Sequence, residues 1–148
     1  MIKSALLVIA ASAALAGCGP KSGLGFRLPD GDAEHGRQAF IDLQCNSCHS
    51  VERADLPYRG TGAGIPLGGL TVRVRTYGEL VTAVINPSHR LAPGYTLERV
   101  AANGESLMAK ANLNDVMTVR QLTDLVAFLQ GAYLVMPPQV SPYSYIYP

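Results

Sequence analysis

The sequence Cys45-Asn46-Ser47-Cys48-His49, termed the pentad below, constrains this chain more than any other feature. Its two thiols are three positions apart, so a helical turn between them places both on one side of the backbone. The imidazole of His49 follows directly. Two soft sulfur donors and a ring nitrogen in so short a stretch indicate a site for a metal or a metal-containing group.

The C-x-x-C-H pattern is typical of covalent haem attachment. In such a site the two thiols add across the two vinyl groups of the porphyrin, and the histidine binds the iron on the proximal side. We therefore predict that Cys45 and Cys48 attach one haem c and that His49 is an axial ligand of its iron.

Two other interpretations use the same cysteine pair. A zinc site needs about four ligands, and the remaining candidates are His35, His89 and Cys18. A thioredoxin-like redox pair requires a preceding strand in a βαβ unit, whereas an amphipathic helix is predicted before Cys45. The pattern favours haem over both.

Residues 1–17 have the pattern of an export signal. Lys3 is followed by an uncharged apolar run from Ala5 to Ala16. This run is shorter than the roughly 20 residues of a membrane-spanning helix. Its length and flanks favour a cleaved signal over the alternative, an uncleaved membrane anchor.

The end of this segment, Leu15-Ala16-Gly17-Cys18, resembles the lipobox of bacterial lipoproteins. The resemblance implies cleavage before Cys18 and a diacylglycerol on its sulfur; the alternative is an ordinary cleavage site followed by a free cysteine. Several acyl chains on one residue anchor a protein far better than a single myristoyl chain. The expected location is the cell envelope, where the protein is lipid-anchored to a membrane and faces the periplasm or another extracytoplasmic space.

The charge balance argues against a nucleic-acid partner. Lys3 is the only cation of residues 1–17, so removal of the signal leaves 11 of the 12 Lys and Arg against 11 Asp and Glu. The charges are interspersed, whereas nucleic-acid binding requires a clustered basic surplus.

Beyond the signal, the composition divides the chain into three regions. Residues 18–30 are rich in Gly, Pro and Ser and are predicted to be a flexible, lipid-anchored tether. Residues 31–132 form the predicted domain. Residues 133–148 are a tail rich in Pro and Tyr that cannot continue a helix.

The first predicted helix begins near Asp30 or Asp32, because an aspartate there can cap the free amides. Its apolar face is formed by Gly36, Ala39, Phe40 and Leu43. The pentad follows this helix.

Two further helices begin with a capping box. One starts after Thr76, with Glu79 as its partner, and should end by Asn86. The last starts after Thr118 and is expected to end at Gly131. Its apolar face is formed by Leu122, Leu125, Val126 and Leu129.

The other stretches are predicted to be mostly loop. Residues 55–70 are dense in Gly and Pro, which favours a loop. Thr96 to Asn103 is predicted to be a short helix stopped by Gly104. Little of the sequence indicates strand.

With the pentad, Gly36, Phe40 and the run Leu125-Val-Ala-Phe-Leu129, the chain resembles a small monohaem cytochrome c of the first, all-helical class over about residues 31–131. The resemblance implies an all-α cytochrome c fold with long Gly/Pro loops. It also implies that the N- and C-terminal helices cross beside a covalently bound haem.

The sixth iron position has five candidates in the sequence: Met108, Met117, Met136, His35 and His89. In the cytochrome class the distal methionine lies on a loop shortly before the last helix, which implies Met108. His89 is the alternative, in a stretch that resembles a loop near the haem in haem domains fused to respiratory oxidase subunits. Those relatives have Pro after the ligating Met, whereas Ala109 follows Met108 here.

The resemblance also implies a proline whose carbonyl accepts a hydrogen bond from the proximal histidine. Pro66 matches that proline, and Pro57 is the alternative. Tyr95 and Arg90 are candidates for hydrogen bonds to a haem propionate.

These residues predict an electron carrier rather than an enzyme. With protein ligands on both sides, the iron would exchange one electron between a donor and an acceptor redox protein, as a shuttle or as a subunit of an oxidoreductase complex. The alternative is a haem-containing enzyme subunit or gas-binding sensor with an open sixth position.

Overall fold

The computed structural model describes residues 28–73 and 75–136. About 48% of these 108 residues are helical and 15% lie in strands, so the chain is mixed α/β and the prediction of an all-α fold is wrong. Each strand is only two or three residues long. Alternating apolar and polar residues become recognisable over about four to eight residues, so strands this short leave no pattern in the sequence.

Five α-helices lie within the described residues: α1 Ala33–Asp42, α2 Tyr77–Ile85, α3 Leu97–Val100, α4 Leu113–Val116 and α5 Val119–Ala132. Three short 3-10 turns accompany them: Cys45–Ser47, Pro87–His89 and Leu107–Ala111. No helix in the described ranges has the length and apolar character to cross a membrane. The predicted signal 1–17, Cys18 and the tail from residue 137 lie outside those ranges.

The caps of the three main helices confirm the predicted starts. The side chain of Asp32 accepts hydrogen bonds from the amides of Glu34 and His35, and Thr76 and Thr118 each form a complete capping box. The last helix ends at Ala132, one residue later than predicted, because Tyr133 is the first residue with an extended backbone. The short helix α3 spans only Leu97–Val100, because the chain then enters a hairpin.

Six short strands form three pairs. Strand β1, His49–Val51, runs parallel to β2, Ile65–Leu67, and β3, Gly69–Thr71, runs parallel to β6, Tyr133–Val135. Strand β4, Ala101–Ala102, pairs antiparallel with β5, Glu105–Ser106. The predicted loop 55–70 therefore contains β2 and the first two residues of β3, and the predicted tail begins with β6.

The first and last helices pack directly against each other. A Cβ atom added to Gly36 of α1 would lie 1.9 Å from the carbonyl oxygen of Asp124 in α5, so the two backbones touch. The rings of Phe40 and Phe128 then meet edge to face, with centroids 5.9 Å apart. This arrangement is favourable for two aromatic rings.

A buried carboxylate links the two helices. Asp124 is 3% exposed, and its Oδ1 accepts a hydrogen bond of 2.7 Å from the amide of Asp32. Its Oδ2 accepts a second bond, of 3.2 Å, from Nε of Arg120. Both oxygens are therefore satisfied, which a charge at this depth requires.

The apolar core forms around this crossing. Its buried members come from α1, α2, α4, α5 and β1: Phe40, Val51, Leu80, Val84, Leu113, Leu122, Leu125, Val126, Leu129 and Ala132. Cys45 and Met108 are half-buried and pack against the same cluster. The pentad and the candidate distal methionine thus border one common core.

We expect Gly36→Ala to lower the free energy of unfolding by about 3 kcal/mol, because its methyl group collides with backbone that cannot rotate away. The matched control is Gly131→Ala in α5, where an added Cβ meets nothing within 4 Å. There alanine should be neutral or stabilise the helix by up to about 1 kcal/mol. Urea unfolding of both variants measures the difference; equal effects would contradict the close crossing.

Candidate functional site

The pentad lies where the chain turns from α1 towards β1. Gln44 adopts a left-handed conformation (φ 58°, ψ 26°) and leads into the 3-10 turn Cys45–Ser47. The amide of Cys48 donates to the carbonyl of Cys45 at 3.2 Å, and side chains three residues apart eclipse each other in such a turn. Cys45 is half-buried, Cys48 is exposed, and both thiols are free. The two thiols lie close enough for Cys48 to contribute to the raised pKa of Cys45.

Residues 57–65, termed the cradle loop, contact the first half of the pentad. The buried side chain of Asn46 donates to the carbonyl of Pro57 at 3.0 Å, and its backbone carbonyl accepts from the amide of Arg59 at 2.9 Å. Asn46 is 2% exposed. The motif leaves this position free, so the sequence contained no signal for its structural role.

The cradle loop also contacts the second half of the pentad. The amide of Ile65 donates to the carbonyl of Cys48 at 2.9 Å. At Gly64 an added Cβ would lie 2.7 Å from a ring carbon of Tyr58 and 3.3 Å from the Cys48 carbonyl oxygen. The loop therefore approaches the backbone of Cys48 closely enough to hold it in place.

The ring of His49 is oriented by this loop. Its Nδ1 lies 3.0 Å from the carbonyl oxygen of Ile65. A carbonyl oxygen can only accept, so Nδ1 carries the proton and Nε2 keeps its lone pair. Metal-binding histidines are commonly oriented in this way.

Burial lowers the pKa of His49 below its usual value, against the opposing effect of the hydrogen bond to Ile65. The imidazole is therefore neutral at pH 7, as a metal ligand must be.

The residue that accepts the His49 hydrogen bond is Ile65, the neighbour of the predicted Pro66. The parallel pairing of β1 with β2 sets His49 opposite Ile65, which brings that carbonyl within reach. Pro57, the alternative, accepts from Asn46 instead. The carbonyl that accepts from His49 thus belongs to the residue before the predicted Pro66. The register of the strand pair, and not the residue type, selects this acceptor.

The Cys45 thiol is poorly suited to redox exchange. Burial raises the pKa of Cys45 to about 11, whereas thiol–disulfide chemistry requires a thiolate near neutral pH. Helix α1 precedes the pair, where a thioredoxin-like site would have a strand. In the described part of the chain, no group of three or more His, Cys, Asp or Glu side chains is assembled around a possible metal position.

The five candidates for the sixth iron position differ in burial. Met108, on the 3-10 turn Leu107–Ala111, and Met117, at the end of α4, are half-buried against the core. Met136, His35 and His89 are exposed. The structure therefore brings Met108 and Met117, but neither His35 nor His89, to the core that Cys45 borders.

The two predicted propionate partners have other contacts. Arg90 lies 3.7 Å from the carboxylate of Glu79, and the ring of Tyr95 lies beneath the guanidinium of Arg99, 5.0 Å from its centroid.

The sequence gives no sign of a role for Arg75, because a single loop arginine has no distinctive pattern. Its Nε is buried and lacks a hydrogen-bond partner among the residues that the structure describes, which leaves a donor for an acceptor from elsewhere.

The chemistry of these residues fits a covalently attached haem. Two free thiols lie three residues apart at one turn, a neutral imidazole has Nε2 available, and a thioether lies at the same core. These are the donors that a c-type haem uses.

Comparisons with protein-family models, with curated proteins and with solved structures gave no match. Function is therefore inferred from the residues of the site.

In haem-free protein we expect iodoacetamide to modify Cys48 well before Cys45. With a pKa of about 11, only about one Cys45 thiol in a thousand is ionised at pH 8, and its reaction rate should rise about tenfold per pH unit up to that pKa. Tandem mass spectrometry distinguishes the two sites. Urea-unfolded protein is the control, in which both should react alike; equal rates in folded protein would contradict the burial of Cys45.

Proposed function

We propose that this protein is a c-type cytochrome, held at a membrane by a lipid on Cys18, that carries single electrons between larger redox proteins. The observation that supports this most directly is the oriented His49. Its Nδ1 is bound to the Ile65 carbonyl at 3.0 Å, directly after two free thiols at one turn.

A bound haem c would supply an iron that gains and loses one electron. Cys45 and Cys48 would hold it covalently, so that it is retained in both oxidation states. The bond to Ile65 keeps the His49 ring in one orientation, and Asn46 ties the turn to the cradle loop. A rigid ligand set suits electron transfer, because little has to rearrange when the charge changes.

Met108 is our proposal for the second axial ligand. Its thioether is a soft, weakly donating ligand that favours ferrous iron and raises the reduction potential. Its half-buried position at the core bordered by Cys45 supports it over the exposed His89. With protein ligands on both sides, no substrate would reach the iron, so Met108 as a ligand would make the protein a carrier and not an enzyme or gas sensor.

The surface around Cys48 suits short-lived contacts with partners. Cys48 is exposed, so one attachment point would lie at the surface, where a donor or acceptor can approach. Electron-transfer encounters typically use small interfaces. A chain without a large net charge, tethered through Cys18, is compatible with successive contacts with two redox proteins of the envelope.

We expect the protein from a host that matures c-type cytochromes to keep its haem through denaturation and an acid-acetone wash, and to show haem stain on a denaturing gel. Cys48→Ala should reduce the stain, because attachment is impaired when only the Cys45 thiol can form a covalent link. The matched control is Cys18→Ser, which should keep the stain but lose the lipid. Wild-type protein without stain would overturn the proposed function.

We expect Met108→Ala to abolish the far-red sulfur–iron band of the oxidised protein while the haem stays attached, and to let the reduced protein bind carbon monoxide. The matched control is Met117→Ala, which removes another half-buried methionine of the same core and should keep the band. Absorption spectra measure both.

Two results would change the assignment. A band that survives in Met108→Ala would transfer the ligand role to another residue, and His89→Ala would then test the alternative. Prompt and complete binding of carbon monoxide by reduced wild-type protein would favour an open sixth position, and with it the enzyme or sensor.

A further inference from the structure

Residues 87–111, termed the distal segment, form a connected unit that includes Met108. It consists of the turn Pro87–His89, helix α3, the β4–β5 hairpin and the turn Leu107–Ala111, which contact one another. Within it, Ser88 Oγ accepts from the amide of Ser106 at 3.0 Å. Ser106 Oγ accepts in turn from the amide of Met108 at 3.3 Å. The position of Met108 is therefore tied to the segment as a whole.

One side chain joins the distal segment to the cradle loop. Nη2 of Arg99 donates to the carbonyl oxygen of Ala63 at 2.6 Å, and its guanidinium lies over the ring of Tyr95, 5.0 Å from the centroid. Within the described residues, no other side-chain hydrogen bond links the distal segment to residues 28–73. Beyond the apolar packing of Met108 on the core, the polar connection between the two parts thus rests on the side chain of one arginine.

The contact matters because of the two segments that it joins. Ala63 lies two residues before Ile65, and the carbonyl of Ile65 orients His49. Arg99 belongs to α3, from which the chain continues through the hairpin to Met108. The bond therefore connects the segment that carries the proposed distal ligand with the loop that orients the proposed proximal ligand.

We propose that Arg99 is a positioning residue that holds the distal segment against the cradle loop and so keeps Met108 in place as the sixth ligand. This inference rests on the proposed function. Arginine suits the role because its planar guanidinium stacks on Tyr95 while one of its N–H groups donates to Ala63. Lysine has a compact ammonium group and cannot both stack a planar group on Tyr95 and donate to Ala63.

Loss of this contact should make the sixth position easier to open. A ligand that binds only the open form gains apparent affinity in proportion to the population of that form. Imidazole added to the oxidised holoprotein is such a ligand, because it competes with Met108 for the iron. Removal of one charged hydrogen bond should tighten imidazole binding about fivefold.

The experiment compares Arg99→Met with Arg37→Met in the full-length, haem-loaded protein. Arg37 makes the same kind of bond, from Nη2 to the carbonyl of Asp55 at 2.7 Å, but this bond joins α1 to residue 55 and does not involve the distal segment. The first readout is the affinity for imidazole, measured by titration from the loss of the far-red band. Hydrogen exchange of residues 101–111 is the second and does not depend on the iron.

The proposal expects tighter imidazole binding and faster exchange of residues 101–111 in Arg99→Met only, with Arg37→Met close to wild type. Arg99→Lys, which keeps the charge, should lie between the two. Equal affinities in Arg99→Met and wild type would overturn the proposal, and so would equal shifts in both methionine variants, since these indicate general destabilisation. Wild-type protein without a far-red band would overturn the Met108 assignment itself, a failure recognised before any variant is measured.

Discussion

The arrangement of the site depends on one hydrogen bond, between Nδ1 of His49 and the carbonyl oxygen of Ile65. That bond selects the tautomer, leaves Nε2 as the free donor atom and determines the direction in which it points. It exists because β1 and β2 pair with His49 opposite Ile65. A one-residue slip of the parallel strands would present a different carbonyl and reverse the faces of the side chains.

The crossing of α1 and α5 sets the position from which the pentad starts. Gly36 lets the two backbones touch, and the hydrogen bond from the amide of Asp32 to the carboxylate of Asp124 joins the start of α1 to α5. Helix α1 therefore ends beside the core, and Cys45 becomes half-buried there while Cys48 stays exposed. Burial therefore raises the pKa of the Cys45 thiol, whereas Cys48 lies at the surface.

Local features of the fold were predictable and long-range pairings were not. The caps at Asp32, Thr76 and Thr118 depend on residues within one turn, so the three main helices follow from the sequence. Two of the three strand pairs join separated segments, such as Gly69–Thr71 and Tyr133–Val135, and every strand is too short to show alternation. The predicted all-α class was wrong for this reason.

The amino-acid sequence by itself determined the reactive groups: two thiols and an imidazole at fixed spacing, and the helix before them. Covalent order brings these groups together whatever the rest of the chain does. Only the tertiary structure decided that Ile65 orients His49, that Asn46 anchors the turn and that Arg99 reaches Ala63. These contacts join residues that are not neighbours in the chain, and the acceptors are backbone carbonyls. Every residue has such a carbonyl, so no pattern of side chains could predict these contacts.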